Sequence, residues 1–161
     1  MSLVSKLLPP SNVAVDIEVS SKKRLFEHFG LLFENNHGVA RSVVFDSMFA
    51  RERLGSTGLG SGVAIPHGRI KGLKEAVGAL VRLSSPVPFD SPDGKPVTLA
   101  FALLVPEQAT ERHLQILSVL AQIFGDRDMR ESMNAAADSA SLHQLIATWQ
   151  PDAASKRHAV A

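Results

Sequence analysis

A nine-residue, almost uninterrupted apolar run at positions 97–105 constrains the fold more than any other stretch of this sequence. Pro106 follows directly and ends the run. Strands that are covered on both faces show such continuous apolar runs, whereas half-exposed strands alternate apolar and polar residues. The run therefore predicts a central strand of a sheet with a layer packed on each face.

Strand and helix patterns alternate along the rest of the chain. Further strands are predicted at 13–17 and 76–83, with a proline-rich loop at 84–96. The first long helix should begin after Ser20 or Ser21 and stop at Gly38, which suits a left-handed cap. Later helices are predicted at 41–54, 111–124 and 127–136, with Thr110 capping the second of these and a last helix beginning at Ser139 or Ser141.

The order of these elements predicts one α/β domain near the α+β boundary. Its sheet should be mixed, mostly parallel, and flanked by helices on both sides. The domain core should cover about residues 12–150 of the single domain 1–161, with a disordered tail at 152–161. In the helix at 111–124, helical spacing predicts one buried stripe: Leu114, Leu117, Leu120, Ala121 and Phe124.

Composition limits the classes of function. The net charge is +1, so no overall field selects nucleic acid or a membrane as partner. Cysteine is absent, which excludes disulfides, thiolate metal sites and a cysteine nucleophile. No apolar run reaches membrane-spanning length, and the N-terminal residues lack a signal-peptide core. We therefore expect a cytoplasmic protein without membrane insertion.

A glycine-rich stretch at 55–69 is the most unusual part of the sequence. It predicts a tight loop, a short strand at 63–65, and a histidine, His67, presented after Pro66 at the end of that strand. Backbone amides of the loop and the hydroxyls of Ser56, Thr57 and Ser61 could donate hydrogen bonds to a phosphoryl group. Four glycines lie within eight positions: Gly55, Gly58, Gly60 and Gly62.

This loop does not fit the known nucleotide-binding patterns. A phosphate-binding loop of the Walker type needs lysine after its second glycine, and Ser61 stands there after Gly60. A dinucleotide-binding fingerprint needs a preceding strand and a following helix, and the order here is reversed. Neither ATP nor a dinucleotide is predicted as a cofactor.

Two histidines and an arginine have the residue types needed for phosphoryl transfer. Neutral histidine can accept phosphate on a ring nitrogen, because its ordinary pKa lies near 6.5. His67 would be the nucleophile, His113 in the first turn of a predicted helix a donor, and Arg51 a cation, with Arg53 as its rival. No pair of histidines has the spacing of a metal site, so no metal is predicted.

The same residues resemble a known family. Residues 51–60 and 63–68 are similar to the signature of the type-2 IIA domain of the bacterial phosphoenolpyruvate-dependent phosphotransferase system, the fructose/mannitol family. Segments at 86–90 and 101–106, and the pair His113-Leu114, extend the similarity over about residues 12–150.

The resemblance implies a phosphocarrier with no cofactor. His67 would take phosphate from the phosphohistidine of an HPr-type protein (HPr or its homologue NPr), His113 would help to hold it, and Arg51 would lie near it. The predicted binding residues are in the glycine-rich loop: Ser56, Thr57, Gly58 and Gly60. Apolar residues around the motif would also suit contact with a partner, including a second copy of the chain as a homodimer.

Three functions stay open at this point. The run Arg-Glu-x-Leu-Gly-Ser-Thr-Gly is similar to the nitrogen-regulatory branch of the family, which signals through its phosphorylation state. A sugar-specific IIA component would instead pass phosphate to a IIB partner. A protein-binding module without chemistry would use the loop only for recognition.

Overall fold

The computed structural model of the chain describes residues 3–108 and 111–150. The predicted cap Thr110 and the predicted disordered tail at 152–161 lie outside these residues. The helices are α1 (Leu3–Leu7), α2 (Lys22–His37), α3 (Arg41–Glu52), α4 (Glu111–Gly125), α5 (Arg127–Ala135) and α6 (Ser139–Ala147). The strands are β1 (Val13–Ile17), β2 (Gly58–Gly60), β3 (Val63–Ala64), β4 (His67–Ile70), β5 (Val77–Val87) and β6 (Val97–Pro106).

The six strands form one mixed sheet in the order β1-β5-β6-β3-β2, and β4 also pairs with β6. The pairs β1–β5, β3–β6 and β4–β6 are parallel. The pairs β5–β6 and β2–β3 are antiparallel, and β5–β6 is the longest pairing in the sheet. The predicted α/β fold with a mixed sheet is confirmed.

Strand β6 has the central position that its apolar run predicts. Leu99, Phe101 and Leu103 belong to a core shared with α1, α4, α5 and α6. The residues between them, including Ala100 and Ala102, belong to a second core under α2 and α3. Successive strand residues point to opposite faces, so both faces of this strand are buried under helices.

Strand β5 is longer than the sequence pattern predicts, and the predicted loop at 84–96 is wrong for residues 84–87. Val87 pairs with Val97 of β6 and is fully buried. The pairing register shifts between Arg82 and Val87, in the segment that contains Pro86. Proline cannot donate a hydrogen bond to the ladder of a sheet. Within a sheet it is therefore found at irregularities of this kind.

The predicted stripe of α4 is rotated in the structure. The buried side chains are Ile116, Leu120, Ile123 and Phe124. Leu114 is 63% exposed instead of buried. The helix carries apolar residues on more than one side, so both the predicted and the observed stripe fit helical spacing. Packing against the sheet decides which of the two is buried. Leu114 is thereby left on the surface.

The helix boundaries follow local capping chemistry. Ser21 caps α2 by accepting from the Arg24 N–H at 3.1 Å, and Gly38 ends it in the left-handed region at φ 69°, as predicted. Helix α6 begins at Ser139, but its cap is the Asp138 carboxylate, which accepts from the Ser141 N–H. Within residues 3–108 and 111–150, no helix is both long and apolar enough to cross a membrane.

Candidate functional site

The glycine-rich loop between α3 and β2 is held by a buried carboxylate. Glu52 is 8% exposed and accepts hydrogen bonds from the Thr57 hydroxyl at 2.6 Å and from the Thr57 N–H. The Lys22 ammonium donates to the same carboxylate at 2.8 Å. The Ser56 hydroxyl donates to the Phe89 carbonyl at 2.6 Å. These bonds give the loop one defined conformation.

The predicted binding residues of this loop are close to one another, but they do not line the cleft that holds His67. The hydroxyls of Ser56 and Thr57 donate within the protein, as described above. The Gly58 N–H donates to the Ser56 oxygen at 3.1 Å. Gly60 belongs to β2 and adopts a φ of 90°, which favours glycine. In the structure, these residues shape and secure the β2–β3 hairpin.

His67 lies at the beginning of β4, not at the end of β3 as predicted. The strands β3 and β4 run along the same side of β6, with a break at Ile65 and Pro66. Pro66 has no N–H to donate, but its carbonyl accepts from the Leu103 N–H at 2.9 Å, so β4 resumes pairing at once. The break places the histidine at an interruption of the sheet, where a side chain can reach a cleft.

The imidazole of His67 is fixed by its own backbone. Its Nδ1 lies 2.9 Å from the Ile65 carbonyl oxygen, which can only accept a hydrogen bond. This contact assigns the proton to Nδ1 and leaves the lone pair on Nε2. Burial lowers the pKa of His67, and the Arg51 charge acts in the same direction, against the opposing effects of the Ile65 carbonyl and Glu52. The ring is therefore neutral near pH 7.

Gly68 brings α3 close to the histidine. A Cβ at this position would meet the side chain of Ser47, and would lie 3.1 Å from the Ser47 carbonyl carbon. The Ser47 hydroxyl donates to the Arg69 carbonyl at 2.9 Å and ties the helix to β4. Arg51 lies one helical turn beyond Ser47, on the same face of α3. The missing side chain at Gly68 thus lets Arg51 approach His67.

His67, His113 and Arg51 line one open cleft of about 520 Å³. Arg51 is partly buried, and its Nη1 donates to the Gly55 carbonyl at 2.8 Å. Arg53 is exposed and does not line this cleft, so the geometry favours Arg51 of the two arginines that the sequence left open. The structure therefore brings together the three residues that sequence reasoning could only call compatible.

The sequence analysis missed two residues that help to build this site, Arg69 and Glu52. Arg69 lines the cleft, two residues after His67 on the same strand, and the two-residue period of strands could have revealed it. Glu52 lies in the last turn of α3, where the helix dipole disfavours a carboxylate. That unfavourable position was a signal that Glu52 has a specific partner elsewhere.

The sequence that builds this cleft matches a known family. A family model described as "Phosphoenolpyruvate-dependent sugar phosphotransferase system, EIIA 2" matches residues 6–149. The chain belongs to this family. The family resemblance of the loop and histidine motifs is thus confirmed, and this IIA-type chain is a phosphotransferase-system component of the phosphocarrier kind.

Similar proteins include both regulatory and sugar-specific IIA members. A nitrogen regulatory protein of Pseudomonas aeruginosa is 38% identical over an alignment of 157 positions that covers 93% of this chain and 98% of the relative. The crystal structure of the nitrogen regulatory protein IIA-Ntr from Neisseria meningitidis is 52% identical with a TM-score of 0.86, and the match covers 90% and 99% of the two chains. A fructose-specific EIIA component of Haloferax volcanii is 34% identical over 107 residues, 66% of this chain and 70% of the relative.

Proposed function

We propose that this IIA-type chain accepts a phosphoryl group on Nε2 of His67 from the phosphohistidine of an HPr-type protein. The observation that carries the proposal is the contact between Nδ1 of His67 and the Ile65 carbonyl at 2.9 Å. It assigns the nucleophilic lone pair to Nε2 of a side chain that lines an open cleft.

The transfer forms one P–N bond and breaks another. The Nε2 lone pair of His67 attacks the phosphorus, and the electron pair of the donor's P–N bond returns to the donor imidazole. The His67 ring gains positive charge as the new bond forms. The Ile65 carbonyl, which accepts from Nδ1–H, stabilises that charge and holds the ring in place.

Arg51 and His113 complete the proposed site. The transferred phosphoryl group carries negative charge spread over its oxygens, so catalysis depends on positioning and on nearby positive charge or N–H donors. Arg51 provides a permanent charge in the cleft, and Arg69 provides a second. We assign His113 the role of a donor to the phosphoryl oxygens, from the first turn of α4.

The test is phosphorylation by a phosphorylated HPr-type protein, followed by mass spectrometry of the intact chain and of its peptides. The wild type should gain one acid-labile phosphate on His67, and His67→Ala should gain none. His113→Gln should be labelled more slowly. His143→Gln is the matched control, because His143 bonds the Leu8 carbonyl and does not line the cleft. Labelling that persists in His67→Ala would contradict the proposal.

We further propose that this phosphorylation serves nitrogen-related regulation. The support is the similarity to the nitrogen regulatory proteins of Pseudomonas aeruginosa and Neisseria meningitidis, which extends over most of each chain. The second candidate is a sugar-specific IIA component, favoured by the shorter similarity to the fructose-specific relative. Fast transfer of phosphate from the labelled chain to a fructose- or mannitol-type IIB domain would support the second candidate.

The same labelling experiment tests the third alternative, a binding module without chemistry. Such a module would bind the donor without acquiring phosphate. Binding without any label on the wild type would therefore favour it over both phosphocarrier functions.

A further inference from the structure

Thr57 is a buried residue of the glycine-rich loop, and the proposed function gives it no role. It is one of the predicted binding residues, but it is 6% exposed and does not line the cleft of His67. Its hydroxyl donates to the Glu52 carboxylate at 2.6 Å, and its N–H lies 3.1 and 3.2 Å from the two oxygens of the same group. One residue thus binds the end of α3 with two donors.

The Glu52 carboxylate has a third donor on its other side. The Lys22 ammonium donates to it at 2.8 Å, and the side chain of Lys22 is only 18% exposed. Three donors fix the orientation of a buried carboxylate, since a rotation would leave both the charge and its donors without partners. Thr57 is therefore held firmly against the last turn of α3.

One set of contacts leads from Thr57 to Arg51. Gly55, two residues before Thr57, is exposed, and its carbonyl accepts from Nη1 of Arg51 at 2.8 Å. The Gly55 N–H donates to the Glu52 carbonyl at 3.2 Å. The bonds between Glu52 and Thr57 close this turn, so the position of the Gly55 carbonyl depends on them. Because arginine has several rotatable bonds, this acceptor restricts the directions that the guanidinium can take in the cleft.

A second set of contacts leads from Thr57 to His67. The Thr57 carbonyl accepts from the Ile65 N–H at 3.0 Å. The Ile65 carbonyl oxygen in turn lies 2.9 Å from Nδ1 of His67. The residue that closes the Gly55 turn therefore also binds the segment that orients the imidazole. Arg51 and His67 line the same cleft, so Thr57 connects the two groups whose relative position matters for the proposed transfer.

We propose that Thr57 is a positioning residue for phosphoryl transfer: held by Glu52, it aligns the Arg51 guanidinium with the imidazole of His67. This inference rests on the proposed function and adds to it a residue that does not touch the phosphoryl group. Thr57 acts through the two backbone carbonyls described above. Small displacements of reacting groups have large effects on rate, because catalysis by charge requires the donor to be in place beforehand.

The test compares three variants of Thr57. Thr57→Val keeps the shape of the side chain and removes the hydroxyl, Thr57→Ala removes it without placing a methyl group against the carboxylate, and Thr57→Ser retains it. The matched control is Thr98→Val, because the Thr98 hydroxyl donates to Oδ1 of Asn134 at 3.2 Å and Thr98 does not line the cleft. Circular dichroism checks that each variant is folded, and Thr57→Ala carries the test if the valine is not accommodated.

Labelling of His67 is measured with two donors, a phosphorylated HPr-type protein and phosphoramidate, a small donor that needs no docking surface. Thr57→Val and Thr57→Ala should be labelled roughly tenfold more slowly than the wild type by both donors. Thr57→Ser should restore most of the rate, and Thr98→Val should follow the wild type. Equal rates for the wild type and the variants without the hydroxyl would overturn the inference. A loss seen only with the protein donor would also overturn it, since it would indicate an effect on docking.

A double-mutant cycle with Arg51→Gln separates alignment from a general weakening of the fold. Without the guanidinium there is no charge to misalign, so adding Thr57→Val to Arg51→Gln should change the rate by less than about twofold. The same loss as in the wild-type background would overturn the inference, because Thr57 would then act independently of Arg51.

Failure of the proposed function gives a different result. In that case neither donor labels His67 in the wild type. If the wild type is labelled and removal of the Thr57 hydroxyl has no effect, the positioning inference fails and the phosphocarrier function stands.

Discussion

Nδ1 of His67 is 2.9 Å from the carbonyl oxygen of Ile65, a residue only two positions earlier in the chain. This short loop across Pro66 sets the tautomer of the ring without help from a distant side chain. In many histidine sites a separate carboxylate has that role. Here the break in the sheet between β3 and β4 provides the acceptor. The geometry of the backbone therefore decides which ring nitrogen carries the proton.

We predict that His67 titrates below the ordinary histidine pKa of about 6.5. Burial is the main cause, because the charged ring would lose hydration in the fold. The titration is measured from the ring proton shifts in NMR spectra, with His67→Gln identifying the signals. A midpoint above that ordinary value would contradict the prediction.

The same shift makes folding stability dependent on pH. Burial also lowers the pKa values of His28 and His37. Well above pH 6.5 all three rings are uncharged in both the folded and the unfolded chain, so their lowered pKa values cost no stability there. As the pH falls below about 6.5, the unfolded chain binds protons that the folded chain does not, so the free energy of unfolding decreases. Urea unfolding across this range measures the slope, which His67→Gln should reduce.

We predict that Arg51→Gln slows phosphoryl transfer to His67, whereas Arg53→Gln does not. Arg51 lines the cleft and Arg53 is exposed outside it. Loss of one preorganised charged group at a transition state costs on the order of 100-fold in rate. The two variants remove the same charge from neighbouring positions, so initial rates of labelling by the phosphorylated donor compare the positions directly. Equal effects would indicate that only the regional charge matters.

We predict that Gly68→Ala destabilises the fold and slows the reaction as well. The new Cβ would meet Ser47 and push α3 away from β4, which would carry Arg51 away from His67. Such overpacking costs about 1–3 kcal/mol in the free energy of unfolding. Gly125→Ala is the matched control, because a Cβ there has no neighbour within 4 Å. Urea unfolding and donor labelling are measured on both variants, and equal stabilities would refute the packing explanation.

We predict that Glu52→Gln loosens the glycine-rich loop. An amide cannot satisfy both Thr57 donors and the Lys22 ammonium that the carboxylate now binds. A buried polar group that loses its partner costs on the order of 1–3 kcal/mol in the free energy of unfolding. Hydrogen exchange at the Thr57 amide should report the loss directly.

The control for this prediction is Glu131→Gln. Glu131 forms an exposed ion pair with Arg127 on α5, where both side chains are in solvent. Surface pairs of this kind contribute about 0–1 kcal/mol, so its effect should be much smaller. A Glu52→Gln variant as stable as this control would show that the buried network does not hold the loop.

Much of the fold was predictable from local patterns. The apolar run at 97–105 predicts a strand that is buried on both faces, and β6 has that position in the sheet. Ser21 and Gly38 predict the ends of α2, because capping depends on residues within one turn of the helix end. The length of β5 was not predictable, since the segment 84–87 returns to β6 only through the pairing of Val87 with Val97, beyond an irregularity in the register.

The candidate site was predictable as a set of residue types, but not as an arrangement. The motif around His67 and its family resemblance point to His67 as the proposed acceptor, and the first turn of α4 points to His113 as the proposed donor to the phosphoryl oxygens. The burial of Glu52, the exposure of Leu114 and the choice of Arg51 over Arg53 depend on how helices pack on the sheet. Those relations join residues far apart in the chain, and local spacing carries no information about them.

The sequence by itself determined the class of fold, the family and the histidine that we propose as the phosphoryl acceptor, because strand burial, helix caps and the motif around Pro66 are local properties. Tertiary structure decided which residues surround that histidine. The contact of Gly68 with Ser47 brings α3 against β4, and the rotation of α4 turns Leu114 outward beside His113. Side-chain packing between elements selects one orientation among those that the sequence periodicity allows, and this selection shapes the cleft that holds His67.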